Sequence, residues 1–137
     1  MRLLNILAFL TIPFTIFAQD YSRIVNVRFT TSHIKIDGLL DDDAWSAADS
    51  ITGFWQYFPS DSVRAKYQTS LSMLYDGHTL YAGIRAEKAP GNYVISSLRR
   101  DFRGTVSDNI TLWFDTFSDG TNAYLFGMTP NGVLRDV

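Results

Sequence analysis

The sequence contains no cysteine among its 137 residues. Disulfide cross-links are therefore excluded, and a secreted fold made from this chain must be held together by its hydrophobic core. A lipid anchor on an N-terminal cysteine and thiolate metal sites are excluded as well. Because 46% of the residues are hydrophobic and 15% are aromatic, the chain has enough apolar side chains for such a core.

An excess of charge of either sign is also missing. The chain has 12 lysines and arginines against 14 aspartates and glutamates, which gives a net charge of −2 at pH 7. Loss of an N-terminal segment that ends at Ala18 would remove Arg2 and no acid, and would make the chain more negative. Such a surface does not attract nucleic acids or anionic membranes, so neither is an expected partner.

Histidine is scarce, and the motifs of common catalytic sites are missing. His33 and His78 are not spaced as metal ligands, and neither a Gly-x-Ser-x-Gly motif nor a glycine-rich phosphate loop occurs. Aspartates are numerous, but glycoside hydrolysis needs two carboxylates at a fixed separation, and most of these occupy turn or cap positions. Calcium binding suits these carboxylates better than hydrolysis does, because hard cations prefer clustered loop oxygens, although no EF-hand spacing occurs. We therefore expect a non-enzymatic protein, with hydrolase activity as the weaker alternative.

The one long apolar run lies at the N terminus. An arginine follows Met1, residues 3–17 are almost wholly apolar, and Ala18 is a small residue suited to the position before a cleavage site. This pattern is typical of a secretory signal peptide. A membrane anchor is the alternative, but a span needs about 20 apolar residues and this run is shorter and contains a proline. We expect residues 1–18 to be a signal peptide and residues 19–137 to form a mature chain without a membrane span.

Alternation of apolar and polar residues predicts two β-hairpins. Residues 67–75 and 80–87 alternate on either side of an Asp-Gly-His turn, which is a strong hairpin pattern. Residues 110–115 and 122–129 alternate on either side of a Ser-Asp-Gly turn, and residues 133–137 begin a further strand.

Shorter extended segments precede the hairpins, at residues 24–29, 34–36 and 51–58, and only residues 42–48 and 94–102 have a helical pattern. Many short strands separated by turns favour an all-β sandwich over a βαβ fold. The predicted fold class is therefore an antiparallel β-sandwich with one or two short helices.

The sequence stops just as its last strand begins. We therefore expect residues 19–137 to be the N-terminal part of a β-sandwich domain, truncated at its C-terminal end, within a longer protein. A short edge strand at a true C terminus is the alternative. On the first interpretation, residues 19–137 expressed alone would be poorly soluble, because exposed strand edges favour aggregation.

A corner between a strand and a helix is encoded by residues 36–45. Asp37 and Gly38 form a turn pair, because glycine tolerates positive φ and aspartate bonds to its own backbone. Asp41 is the predicted N-cap of the helix that follows. Leu40 and Trp45 have the spacing of a hydrophobic staple, which predicts a structural role for both and a core position for the tryptophan.

Three other aromatic residues are candidates for ligand binding. Trp55 and Tyr57 belong to an aromatic cluster, and Trp113 alternates with the apolar residues of its predicted strand. If those residues point inward, Trp113 faces the other side, where its ring offers a flat apolar platform to the C–H face of a sugar. The alternative is that Trp113 covers the second face of the sandwich or a neighbouring loop.

Residues 36–45 resemble the start of family 9 carbohydrate-binding modules, in which a strand is followed by Asp-Gly-x-Leu-Asp, a short helix and a tryptophan. Residues 74–81 and 107–115 resemble the next two landmarks of that family, in the same order. Residues 98–101 and 124–136 are most similar to a subgroup at the N terminus of large secreted bacterial proteins, mostly from Bacteroidetes. In that subgroup the module precedes a region that looks like an outer-membrane β-barrel.

The resemblance implies a jelly-roll-type β-sandwich that binds xylan- or cellulose-type oligosaccharides or another glycan without catalysis, and it implies structural calcium. It places the protein in the periplasm, outer membrane or cell surface of a Gram-negative bacterium, with a role in polysaccharide breakdown. The downstream region of the same protein is the expected partner besides the carbohydrate. One alternative is an interaction or plug domain that packs on the barrel without binding sugar, and another is an accessory domain of a glycoside hydrolase.

Overall fold

The computed structural model describes residues 24–88 and 93–137, so the predicted signal peptide at residues 1–18 lies outside the described residues. Within these two described ranges, seven strands and one short helix follow in the order β1 (Arg28–Phe29), α1 (Asp43–Ser46), β2 (Ser50–Ile51), β3 (Thr69–Tyr75), β4 (Leu80–Ala86), β5 (Ile110–Phe114), β6 (Tyr124–Met128) and β7 (Leu134–Asp136). The all-β class is confirmed, since almost all regular structure in the described residues is strand, arranged in two sheets. The chain divides into two units, one ending at Glu87 and one beginning at Lys88, and each contains one sheet.

The sheet of the first unit is centred on β3. β4 pairs with β3 in antiparallel register from Thr69–Ala86 to Tyr75–Leu80, which confirms the first hairpin. β2 is antiparallel to β3, whereas the two-residue strand β1 runs parallel to it and is an exception to the predicted antiparallel pairing. A parallel pair requires a crossover connection, and the long segment that contains α1 and β2 supplies one.

The turn between β3 and β4 is organised by Asp76. Its Oδ1 accepts hydrogen bonds from the backbone N–H of His78 at 2.9 Å and of Thr79 at 2.8 Å, and its Oδ2 accepts one from the Tyr81 hydroxyl at 2.8 Å. Gly77 has a φ of +99°, a conformation in which glycine carries little steric cost. The His78 hydrogen bond is the main reason why the pKa of Asp76 lies below its ordinary value.

The corner before α1 forms as predicted, but the helix begins one residue later. Asp37 accepts the N–H two residues on at 2.9 Å, and Gly38 has a φ of +84°. The N-cap is Asp42 and not Asp41, so the predicted cap is wrong. The Asp42 carboxylate makes no cap hydrogen bond and accepts instead from the backbone N–H of Lys35 at 3.1 Å. It therefore ties the preceding segment to the helix start.

Trp45 packs on the core of the first unit, with its ring over β4. A Cβ atom built on Gly83 would lie 2.8 Å from the Trp45 ring and 3.0 Å from Leu40. The two side chains of the predicted staple therefore meet over this glycine, although the later N-cap shifts them by one position from the staple register. The buried residues on which Trp45 packs are Ile34, Ala44 and Leu74.

The sheet of the second unit has the antiparallel order β5-β6-β7, which confirms the second hairpin and the further strand. Thr111 pairs with Gly127, and Gly127 pairs with Arg135 on the other side. Because side chains alternate between the faces of a strand, Trp113 shares a face with Thr111 and Arg135. This face carries the candidate site.

No helix forms at residues 94–102, and that prediction is wrong. The segment finds hydrogen-bond partners elsewhere in its unit: the N–H of Asp108 donates to the Val94 carbonyl at 2.7 Å, and the N–H of Ser96 donates to Ser107 Oγ at 3.0 Å. Asp101 has a φ of +59°, which is incompatible with a right-handed helix. Tertiary partners thus override the local helical pattern.

Candidate functional site

Trp113 projects from β5 into solvent, with 68% of its surface exposed. Leu125, its partner across the β5–β6 pair, is only 2% exposed, so the exposed indole lies beside a buried side chain on the neighbouring strand. A large exposed ring on a regular strand is a surface suited to stacking on a ligand.

Trp113 borders an open groove of about 450 Å³ in the second unit. This volume falls within the range of about 300–1,000 Å³ that is usual for small-ligand sites. Gly127 lies between Thr111 and Arg135 in the strand register, and it has no side chain that could stand between them. The lining combines one aromatic ring with two arginines, two threonines and an amide: Arg103, Gly104, Thr105, Asn109, Thr111, Trp113 and Arg135.

A loop docked on β7 supplies one wall of the groove. The N–H of Asp101 donates to the Leu134 carbonyl at 3.0 Å, and Asp101 Oδ1 accepts from the N–H of Asp136 at 3.3 Å. Arg100 adds an ion pair with Asp136. These bonds hold the start of the loop against the strand edge and bring Arg103 to the groove.

Asn109 fixes the other end of the loop. Its Nδ2 donates to the carbonyl oxygens of Gly104 and Ser107, both at 2.7 Å, and its Oδ1 accepts from the Thr111 hydroxyl at 2.8 Å. The amide is thus used for structure. The Thr111 oxygen donates its proton inward and keeps its lone pairs for a hydroxyl group of a ligand.

The acids close to the groove are neutralised by cations outside its lining. Lys88 forms an ion pair with Asp108, and its hydrogen bond is the main reason why the pKa of Asp108 lies below its ordinary value. Arg100 forms an ion pair with Asp136. The positive charge of the groove's own arginines is therefore not cancelled by these carboxylates.

Trp55 and Tyr57 lie in the first unit and are not part of this groove. The guanidinium of Arg64 lies 5.3 Å from the centroid of the Trp55 ring, and an isolated bridge joins the same two residues. One face of that ring is thus occupied by a protein group. Tyr57 is 93% exposed in a loop and is not among the residues that line the Trp113 groove.

A smaller groove of about 270 Å³ lies beside the β5–β6 connection. One of its polar side chains, Asn122, already donates to Asp119 at 2.9 Å and to Thr121 at 3.1 Å. The two rings that line it are Phe117 and Tyr124, and no charged side chain lines it. The Trp113 groove is chemically the richer of the two.

The calcium implied by the family resemblance has no matching side-chain cluster in the part of the chain that the structure describes. No group of three or more histidine or acidic side chains comes together there. Asp115 and Asp119, the acids of the β5–β6 connection, accept backbone N–H groups and so serve the turn. These residues do not fit a calcium site, and no step below uses one.

Several residues of the groove were not singled out from the sequence. Arg135 and Thr111 have the same alternation as Trp113, so correct strand pairing would have placed them on its face. Arg103 and Gly104 belong to an irregular loop, whose position depends on the unusual φ of Asp101 and on bonds to β7. No periodic pattern in the sequence predicts the position of such a loop.

Comparisons with protein-family models, with curated proteins and with solved structures each found no match for this chain. Within residues 24–88 and 93–137, no helix has the length and apolarity that crossing a membrane requires. The assignment of a function therefore depends on the groove itself.

Proposed function

We propose that this chain is a non-catalytic carbohydrate-binding domain whose site is the Trp113 groove. The indole stacks on the C–H face of a sugar ring, and the threonine and arginine side chains bind the hydroxyl groups at its edge. The domain belongs to a secreted protein of the Gram-negative cell envelope that takes part in polysaccharide breakdown. The resemblance to family 9 modules supports the same ligand class, with xylan- and cellulose-type oligosaccharides as the first candidates.

One observation carries this proposal: Trp113 is 68% exposed at the border of a groove whose other side chains are mostly polar or charged. Neither property alone would be enough, because single exposed apolar residues are common on protein surfaces. Together they match the usual form of a ligand site, in which an apolar contact gives affinity and a few placed polar groups give orientation.

Calorimetric titration of the naturally encoded protein with xylo- and cello-oligosaccharides tests the proposal. We expect saturable binding to the wild type and a loss of about tenfold or more in affinity for Trp113→Ala, since truncating a central ring typically costs more than about 1 kcal/mol. Tyr57→Ala is the matched control, because it removes a still more exposed ring that lies outside the groove. Absence of binding by the wild type, or an equal loss in Tyr57→Ala, would refute the assignment.

The second candidate function is an interaction domain that packs on other parts of the same protein and binds no sugar. The opposite face of the β5–β6–β7 sheet favours it, because Phe114 and Phe126 stack edge to face at 5.9 Å there and several side chains are about half exposed. If this candidate is correct, Phe126→Asp raises hydrogen exchange across that face in the whole protein, and no oligosaccharide binds.

An accessory domain of a glycoside hydrolase requires the same saccharide binding as our first proposal, so the same titration tests it. The side of the β5–β6–β7 sheet opposite Trp113 is called the apolar face below, and its half-exposed residues are Tyr124, Phe126, Met128 and Leu134.

A further inference from the structure

Two guanidinium groups line the Trp113 groove. Arg103 is exposed and Arg135 is half-buried, and the guanidinium group of neither forms an ion pair or a hydrogen bond with another residue that the structure describes. The nearby aspartates are already paired with other cations. The groove is therefore locally positive, although the chain as a whole has a net charge of −2.

Two cations in one groove favour an anionic ligand. Two like charges in one groove repel each other, and an anionic group between them would relieve that repulsion. Both cations are arginines, whose planar fork of donors matches the two oxygens of a carboxylate or the oxygens of a sulfate ester. A neutral sugar would leave much of this donor capacity unused.

The absence of a side chain at Gly104 leaves room for the guanidinium of Arg135. Its Nη1 lies 2.7 Å from the point where a Cβ atom on Gly104 would be, so the guanidinium rests on the bare backbone of the opposite wall. Any larger residue at position 104 would displace it. The glycine thus holds one cation in the same groove as the exposed indole.

We propose that the groove selects anionic saccharides: Trp113 stacks on the sugar ring while Arg103 and Arg135 bind a carboxylate or a sulfate ester on it. This inference rests on the proposed carbohydrate-binding function and deepens it by assigning a charge to the ligand. The recognised chemistry is a single negative substituent on a pyranose, and carboxylate and sulfate are its two sources.

Matched oligosaccharides test the selection directly. Cellotetraose is compared with its counterpart in which each C6 hydroxymethyl group is oxidised to a carboxylate, and with a counterpart sulfated at C6. The naturally encoded protein is titrated with each at low and at moderate salt. We expect the anionic ligands to bind about tenfold more tightly than the neutral one at low salt, and the advantage to shrink as salt screens it.

The variants Arg103→Gln and Arg135→Gln assign the effect to the groove. Each is expected to lose most of the preference for the anionic ligand, because its affinity for that ligand falls much more than its affinity for neutral cellotetraose, and circular dichroism shows whether the fold is intact. Arg99→Gln is the matched control, since it removes the same charge from the same unit and does not line the groove. Arg135→Lys separates charge from the fork of donors, because it keeps only the charge.

The outcomes distinguish this inference from the function on which it rests. The inference is supported if either anionic ligand binds more tightly than the neutral one and this preference disappears in Arg103→Gln and in Arg135→Gln. The anionic ligand that binds more tightly then identifies the recognised substituent as carboxylate or sulfate. Equal binding of neutral and anionic ligands, or a preference that Arg99→Gln removes equally, overturns the inference and leaves the carbohydrate site standing. Failure of all three ligands to bind overturns the carbohydrate site itself, and this inference with it.

Discussion

At the scale of single residues, Gly104 decides where the Arg135 guanidinium can lie. We predict that Gly104→Ala weakens the binding of the anionic oligosaccharide although every charged group remains in place. The new Cβ would fall 2.7 Å from Arg135 Nη1, and a flexible arginine tip can move aside at little cost to the fold. Titration calorimetry and a thermal melt measure the two effects. An unchanged affinity would show that this position of the arginine is not used in binding.

The aspartate of the β5–β6 turn gives a prediction about pH. Hydrogen bonds from the Asn122 side chain and from the backbone N–H of Thr121 are the main reasons why the pKa of Asp119 lies below its ordinary value of 3.8. Its stabilising contribution is therefore complete above pH 3.8 and is lost as the pH falls through the lowered folded-state pKa.

Asp119→Asn should reduce this acid sensitivity, because the amide oxygen still accepts from the backbone but no longer titrates. The measurement is the denaturation midpoint of wild type and variant between about pH 2 and pH 5, a range that brackets the unfolded pKa. Asp61→Asn, which changes an exposed acid that makes no hydrogen bond within the described residues, is the control. Equal acid limbs in all three proteins would contradict the role assigned to Asp119.

At the scale of the elements, the contact between α1 and β4 gives the sharpest prediction about stability. Gly83→Ala should destabilise the chain by about 1–3 kcal/mol, because overpacking a closed contact forces side chains or backbone to shift. The Cβ would lie 2.8 Å from the Trp45 ring and 3.0 Å from Leu40, and both belong to a packed corner. Chemical denaturation measures the change.

Trp45→Leu provides the complementary test, since the smaller side chain makes room for the new methyl group. In a double-mutant cycle, Gly83→Ala should cost less in the Trp45→Leu background than in the wild type. Additive effects of the two substitutions would contradict direct contact between the ring and position 83.

The elements also show which features can be read from the sequence. Both hairpins and β7 were predicted, because period-two alternation and Asp-Gly or Asn-Gly turns are local signals. The helix predicted at residues 94–102 fails because the N–H groups of Ser96 and Asp108 bond across the unit instead. The N-cap is Asp42, whose carboxylate accepts from the backbone N–H of Lys35 and not from the helix, and no capping pattern predicts this bond. The parallel β1–β3 pair was missed because it joins residues that are distant in sequence.

In the candidate site, too, only the features that have a local sequence pattern could be predicted. Alternation alone put Trp113 on the opposite side from Ile110, Leu112 and Phe114, and its exposure agrees with that placement. The sequence did not distinguish it from Trp55, whose ring face is covered by Arg64 in a bridge with no periodic pattern. Arg103 reaches the groove through an irregular loop and was beyond prediction from local patterns.

At the scale of the whole molecule, the apolar face leads to a prediction about solubility. Its four residues are each 50–53% exposed, and contiguous exposed apolar side chains on a sheet favour association. We predict that residues 19–137 expressed alone aggregate or unfold in part, and that Met128→Lys with Leu134→Lys raises the soluble fraction. Light scattering and a thermal melt of both chains provide the measurement. A monodisperse wild type with a sharp cooperative transition would contradict the prediction.

The central claim, that a saccharide binds in the groove beside Trp113, is tested most directly by fluorine NMR of protein labelled with 5-fluorotryptophan. The Trp113 resonance is assigned by its absence from the Trp113→Phe variant. We predict that the saccharide ligand shifts this resonance in a saturable way and leaves that of Trp45, which packs on the core, in place. A saccharide that binds but shifts only the Trp55 resonance, or shifts none, would contradict the account.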